Sequence, residues 1–142
     1  MLALDKKLIL SWRDLDDLIE ILCKKITEEL PNIDSVHGIA RGGLIPAVLI
    51  SHELGLKYTD LIYPNTLVVD DICDSGETLK KAPGVYTTTL HYKKSAIVKP
   101  TLYAKLLESE DNWVIYPWER YDSAPVRDNT LKNLIQNKTR RD

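Results

Sequence analysis

Leu67-Val-Val-Asp-Asp-Ile-Cys-Asp-Ser-Gly-Glu-Thr-Leu79 is the stretch on which the fold of this chain turns. Three apolar residues run into two adjacent carboxylates, Asp70 and Asp71, and a third, Asp74, follows. Then comes a small polar turn, Ser75-Gly76-Glu77-Thr78. The pattern predicts a short buried strand that delivers acids to the carboxyl edge of a sheet, followed by a loop that opens a helix. Open α/β sheets bind ligands at that edge, and backbone N–H groups at a helix start attract anions. Carboxylates beside an anion cradle suit a ligand carrying both hydroxyls and phosphate, or a phosphate–metal complex.

Upstream, Ser11 with Asp14 three residues later has the form of a capping box. Leu15, Leu18, Ile19, Leu22, Cys23 and Ile26 follow at helical spacing, and Pro31-Asn32 ends that helix. Cys23 falls on the apolar stripe and is read as core. Ser35-Val-His-Gly-Ile-Ala40 reads as a buried strand in which His37 is structural. Arg41-Gly42-Gly43 then turns the chain into a helix over 44–54, with Pro46 tolerated in its first turn and Gly55 as its C-cap. Two glycines between strand and helix let backbone approach an anion, and Arg41 adds a fixed positive charge. Between Gly55 and Thr66 there is little room. A parallel crossover needs about a dozen residues and four extended residues reach only ~14 Å, so a short edge strand or an irregular connection is expected.

Downstream, Pro83-Gly84 stops the helix after Thr78 within about two turns. Val85–Tyr92 is rich in β-branched and aromatic residues and reads as a strand ending in Lys93-Lys94. Thr101–Leu107 is open between strand and helix. Asn112–Tyr116 reads as a strand turned by Pro117-Trp118-Glu119. Ser123 and Pro125 introduce a last amphipathic helix through Leu131, Leu134 and Ile135, with Arg127 on its surface.

The bulk numbers bound the function. A chain of 142 residues fits a single domain, 1–142. Nineteen basic against 21 acidic side chains leave a net charge of −2, which gives no electrostatic case for nucleic acid. The Lys138–Arg141 run reads as a solvated tail. No apolar run approaches the ~18 residues that a membrane span needs, and the segment around Asp5, Lys6 and Leu8 lacks the core of a signal peptide. Cys23 and Cys73 have no CxxC partner. A disulfide or zinc site is not expected, and a reducing cytoplasm fits best.

Asp70-Asp-Ile-Cys-Asp-Ser-Gly-Glu-Thr78 resembles the phosphoribosyl-diphosphate signature of type I phosphoribosyltransferases. The resemblance extends through Gly38-Ile-Ala-Arg-Gly-Gly-Leu-Ile-Pro46, Thr89-Leu-His-Tyr-Lys93 and Trp113-Val-Ile-Tyr-Pro-Trp-Glu119, over roughly residues 8 to 120. It is most similar to the 6-oxopurine branch, the xanthine–guanine and hypoxanthine enzymes. The resemblance implies an α/β fold with a compact parallel sheet, a shortened hood loop and a small C-terminal base-binding subregion. It implies transfer of ribose 5-phosphate from 5-phosphoribosyl 1-diphosphate to N9 of a 6-oxopurine. Asp70 and Asp71 would take the ribose 2′ and 3′ hydroxyls, directly or through Mg²⁺. Asp74 would manage the proton at purine N7 as the catalytic acid or base, and Ser75, Gly76, Glu77 and Thr78 would form the 5′-phosphate loop, with the Glu77 charge turned away. Arg41, Gly42 and Gly43 would bind pyrophosphate, often through a non-proline cis peptide in the family. Lys93 would donate to the 6-oxo group, Trp113 would stack on the base, and backbone at Val114 and Glu119 would read its position 2 side. A homodimer or homotetramer is implied as well.

Adjacent acids after a strand also suggest a haloacid-type phosphatase, but that chemistry wants a DxD spacing, which Asp-Asp-Ile-Cys-Asp lacks. Family members usually carry a long mobile loop where this chain holds Tyr63-Pro-Asn-Thr66. The missing hood supports an alternative, a regulatory protein that binds the sugar diphosphate or a nucleotide without catalysis. Asp74 and Lys93 speak for the enzyme, because a sensor of the sugar diphosphate needs neither. A third reading keeps the transfer but takes a different base as acceptor.

Overall fold

A computed structural model describes residues 2–4, 7–82, 84 and 86–119. Its frame is a five-stranded parallel sheet built from β3 (Ser35–Gly38), β4 (Lys57–Tyr58), β5 (Thr66–Cys73), β6 (Tyr86–Lys93) and β7 (Leu102–Leu107), in the spatial order β4-β3-β5-β6-β7. A second, three-stranded sheet joins β1 (Leu2–Leu4), antiparallel, to β2 (Lys7–Ile9), and β2, parallel, to β8 (Trp113–Ile115).

Helix α1 (Trp12–Glu29) opens on the expected capping box. Ser11 Oγ accepts from Asp14 N–H at 3.0 Å, and Asp14 Oδ2 accepts from Ser11 N–H at 2.9 Å. Its six stripe residues, Cys23 among them, are all buried. Helix α2 (Leu44–Leu54) carries Pro46 in its first turn and stops at Gly55, whose φ of 65° suits a residue without Cβ. It lies against β3 and β5, while α1 lies against β7, β6 and α2. Leu15, Leu22, Ala47, Ile50, Val36, Leu67, Val69 and Leu90 meet in one continuous core between these helices and the sheet. The short α3 (Glu77–Lys81) follows β5.

The edge strand β4 is only two residues long, as the reach of the chain required. The connection behind it is held by its own hydrogen bonds: Leu61 N–H to Thr59 Oγ1, Thr59 Oγ1 to Leu61 O, Tyr63 N–H to Thr66 Oγ1 and Thr66 N–H to Tyr63 O. His37 is structural: its Nδ1 lies 2.9 Å from Thr59 O on that connection. The ambiguous segment 101–107 is the strand β7.

Two features differ from the sequence reading. Strand β5 does not end at the acids but runs on through them to Cys73, because β6 continues alongside it. The small subregion is not C-terminal alone, since β8 is completed by β2 and β1. The helix expected through Leu131, Leu134 and Ile135, with Ser123, Pro125 and Arg127, lies outside the described residues, as do Pro83, Val85 and the Lys138–Arg141 run. Among the described residues, no helix is long and apolar enough to cross a membrane.

Ser11→Ala removes the acceptor that fixes the first turn of α1. It is expected to lower stability by about 1 kcal/mol in urea denaturation with an unchanged slope.

Candidate functional site

The chain leaves β3 for β4 on one side and returns to place β5 on the other, so the connections after β3 and β5 diverge. Such a reversal opens a crevice at the carboxyl ends of the strands. A cleft of about 1020 Å³ occupies it. Its wall includes Arg41 and Gly42 after β3, Asp70, Asp71, Asp74, Ser75, Gly76 and Thr78 on β5 and beyond, and Trp113, Val114, Tyr116, Trp118 and Glu119 from the β8 region. Three expected residues are not on that wall: Gly43, Glu77 and Lys93.

The 39–43 loop is pressed against β5. Ile39 N–H donates to Val69 O at 2.8 Å, Gly43 N–H to Ile39 O at 2.8 Å, and the Ala40–Arg41 peptide is cis. A Cβ on Gly43 would collide with the Val69 carbonyl, and one on Gly42 with the Asp71 carboxylate. The glycines therefore serve close packing of loop on strand. Gly43 is buried there rather than offered to a ligand, which corrects the expectation that both approach an anion.

Asp70 is 8% exposed. Its Oδ1 accepts from Asp71 N–H at 2.9 Å, and Asp71 Oδ1 accepts from Ile72 N–H at 2.8 Å. Burial, reinforced by the Asp71 charge, pushes Asp70 up to about 8; burial also raises Asp71. Across the sheet from Asp70, the buried Thr89 hydroxyl has no partner among the described residues. Two hard oxygen donors whose charges repel are the share of ligands that proteins commonly give Mg²⁺, which completes its shell with water and substrate oxygens. Among the described residues no group of three or more metal-binding side chains exists.

Beyond the acids, Gly76 takes a φ of 88° and the chain turns, with Glu77 N–H donating to Ser75 Oγ at 3.2 Å. Ile97 N–H donates to Ser75 O at 2.8 Å and ties this turn to the loop after β6. Cys73 is buried, its thiol directed at Val98 O, and burial lifts it to about 11.

Asp74 is half exposed and pairs with Lys93 at 3.1 Å. Lys93 is 4% exposed and also donates to Glu110 O at 3.0 Å, so it stands behind Asp74 rather than on the wall. The aromatic side holds a residue that sequence reasoning passed over. Tyr116, read only as the end of a strand, is buried and stacks on Trp118, with ring centroids 4.9 Å apart and planes 4° from parallel. Its hydroxyl donates to Asp71 O at 3.1 Å and lies 2.8 Å from His91 Nδ1. Burial lowers His91 to about 4. The local signal for Tyr116 was its place beside Pro117-Trp118, where a turn sets two rings side by side. Glu119 closes that turn: Tyr116 N–H donates to its Oε1 at 3.0 Å, and its own N–H donates to Tyr116 O at 2.9 Å. Of the Glu119 backbone, the N–H is therefore engaged within the turn. Burial raises the Glu119 carboxyl.

No family model matches the chain. It is 25% identical over 147 residues to a xanthine-guanine phosphoribosyltransferase of Vibrio parahaemolyticus, covering 82% of this chain and 91% of that protein. To the xanthine-guanine phosphoribosyltransferase of Cereibacter sphaeroides it is 29% identical over 116 residues, or 60% of this chain and 68% of the relative. A purine phosphoribosyltransferase from Pyrococcus horikoshii superposes with a TM-score of 0.68 at 26% identity, covering 86% of this chain and 99% of that one.

The raised acids make stability depend on pH. A carboxyl whose folded value stands above its unfolded one, near 3.9, contributes stability that is full below the unfolded value. That contribution is lost as pH rises through about 8. His91 acts in the opposite sense, but only below its unfolded value near 6.5. Ligand-free protein in chelator is thus expected to be less stable at about pH 9 than at about pH 7, and Asp70→Asn to flatten the difference. Urea titrations at the two pH values measure both.

Proposed function

We propose that this chain, which belongs to the type I phosphoribosyltransferases, transfers ribose 5-phosphate from 5-phosphoribosyl 1-diphosphate to N9 of a 6-oxopurine and releases pyrophosphate. The observation that carries the reading is one cleft walled by an acid pair, by Ser75, Gly76 and Thr78 of the turn, by an arginine loop and by an aromatic wall, with Asp74 between them. A sugar diphosphate fits the first three, and a planar base fits the last.

In this reading Asp70 and Asp71 accept from the ribose hydroxyls and would hold Mg²⁺ together with substrate oxygens. When bound, the ion supplies charge neutralisation for the diphosphate. Ser75, Gly76 and Thr78 take the 5′-phosphate, and Arg41 with Gly42 takes the pyrophosphate as it leaves. The N9–C1 bond forms as the bond from C1 to the diphosphate oxygen breaks, and Asp74 accepts the proton from N7. Lys93 has three donors. Asp74 and Glu110 O take two, so Lys93 acts from behind the wall by holding the Asp74 carboxylate in place. Trp113 covers the base, and Val114 borders its position 2 side. Catalysis is then positioning plus stabilisation of departing charge. The Asp74–Lys93 pair favours this over a non-catalytic binder. The self-bonded connection at 59–65 offers no hood, so water reaches the diphosphate side unless a second subunit of a homodimer or homotetramer covers it. Two buried, unpaired thiols suit the cytoplasm.

Guanine, hypoxanthine and xanthine are the acceptors to assay, scoring nucleotide against free ribose 5-phosphate. Nucleotide from at least one base is expected, with a measurable share of free sugar phosphate; no nucleotide from any of them rejects the reading. Asp74→Asn is expected to lower turnover by about a hundredfold or more. Its affinity for the sugar diphosphate should stay within about tenfold, ~1.4 kcal/mol. Equal losses in both would reject the role of Asp74.

A further inference from the structure

Asp71 presents a backbone acceptor that the sheet does not satisfy. Ile39 N–H closes the last rung between β3 and β5 on the Val69 carbonyl, so that carbonyl faces β3. Two residues further along a strand, the Asp71 carbonyl faces the same way. There β3 has already ended, its last paired residue being Gly38 opposite Val69. A buried backbone carbonyl without a partner is a serious defect. The partner comes from the other sheet's side of the molecule: the Tyr116 hydroxyl donates to Asp71 O at 3.1 Å.

A phenol has one proton. With that proton on Asp71 O, the Tyr116 oxygen can only accept, so the 2.8 Å contact with His91 requires the proton on Nδ1. The result is a directed chain, His91 to Tyr116 to Asp71, whose two aromatic members are both buried. The Tyr116 ring also carries Trp118 on its face. One residue thereby joins the acid strand to the aromatic wall of the cleft.

We propose that Tyr116 is a positioning residue: oriented by His91, it stands in for the missing strand beside Asp71 and sets the acid pair at a fixed distance from the aromatic wall. The role rests on the phosphoribosyl-transfer reading above. Its hydroxyl serves the sugar side and its ring the base side, so the two functions separate by substitution.

Tyr116→Phe keeps the ring and its stack on Trp118 but removes the hydroxyl. With wild type assayed alongside, KM for phosphoribosyl diphosphate is expected to rise about tenfold, and KM for the base to stay within about twofold. His91→Leu should reproduce the first effect more weakly. His91→Asn, whose amide N–H takes the place of Nδ1–H, should recover most of the loss. The double variant Tyr116→Phe/His91→Leu should be no worse than Tyr116→Phe alone, because both remove one chain of bonds.

If wild type makes nucleotide and Tyr116→Phe has unchanged KM values, the role is wrong. Equal rises in both KM values, or a fall in kcat alone, overturn it too, since general loosening of the core gives those results. Failure of Tyr116→Phe to fold overturns it as well, because a positioning hydroxyl is not required for folding. If wild type makes no nucleotide, it is the functional reading that fails. Calorimetric titration with Mg²⁺ and phosphoribosyl diphosphate then decides the role: about tenfold weaker binding by Tyr116→Phe supports it, and equal binding, or no binding by wild type, rejects it.

Discussion

Strand β5 outruns β3 at the carboxyl end of the sheet, and the residues around the cleft are arranged to meet that mismatch. Past Val69 the backbone of β5 keeps β6 on one side and loses its neighbour on the other. A half-paired strand in the interior leaves N–H and C=O groups that need partners. Asp70 supplies a carboxylate to the Asp71 N–H, and Tyr116 supplies a hydroxyl to the Asp71 carbonyl. The space beside the strand is filled by the 39–43 loop, which fits only because Gly42 and Gly43 have no side chains. The cleft is thus the place where one strand stops short and the next does not.

That geometry also sets the electrostatics. Asp70 and Asp71 sit side by side on a buried strand, where desolvation and mutual repulsion favour the protonated form. Asp74, three residues on and half exposed, meets Lys93 instead. Two carboxyl environments so close in sequence and so different in surroundings are what allows neighbouring acids to take different tasks. The Asp70–Asp71 pair gains from a cation or from hydroxyl donors, while Asp74 is oriented by its lysine.

Much of this was legible in the sequence, because the signals were local. The capping box at Ser11 and the stripe from Leu15 to Ile26 defined α1, Pro46 and Gly55 bounded α2, and reach alone limited β4 to a short edge. The acids themselves pointed to the cleft. What escaped was non-local. Strand β2 is completed by pairing with a segment about a hundred positions away, and no local period reports that. Aspartate is poor in strands, so β5 read as stopping where it in fact continues. Gly43 read as a ligand contact because its true neighbour, the Val69 carbonyl, lies on another strand. His91 and Tyr116 look like ordinary strand residues until folding joins their side chains in one chain of bonds that ends on the Asp71 carbonyl.

The connection between β4 and β5 bears on tempo. Its bonds between Thr59 and Leu61 and between Tyr63 and Thr66 close it on itself. Segments that gate active sites commonly open and shut in microseconds to milliseconds, and their opening often limits the turnover of the whole cycle. Among the described residues this connection is thus a self-bonded link between two strands that stays off the cleft wall, and it is not built as such a gate.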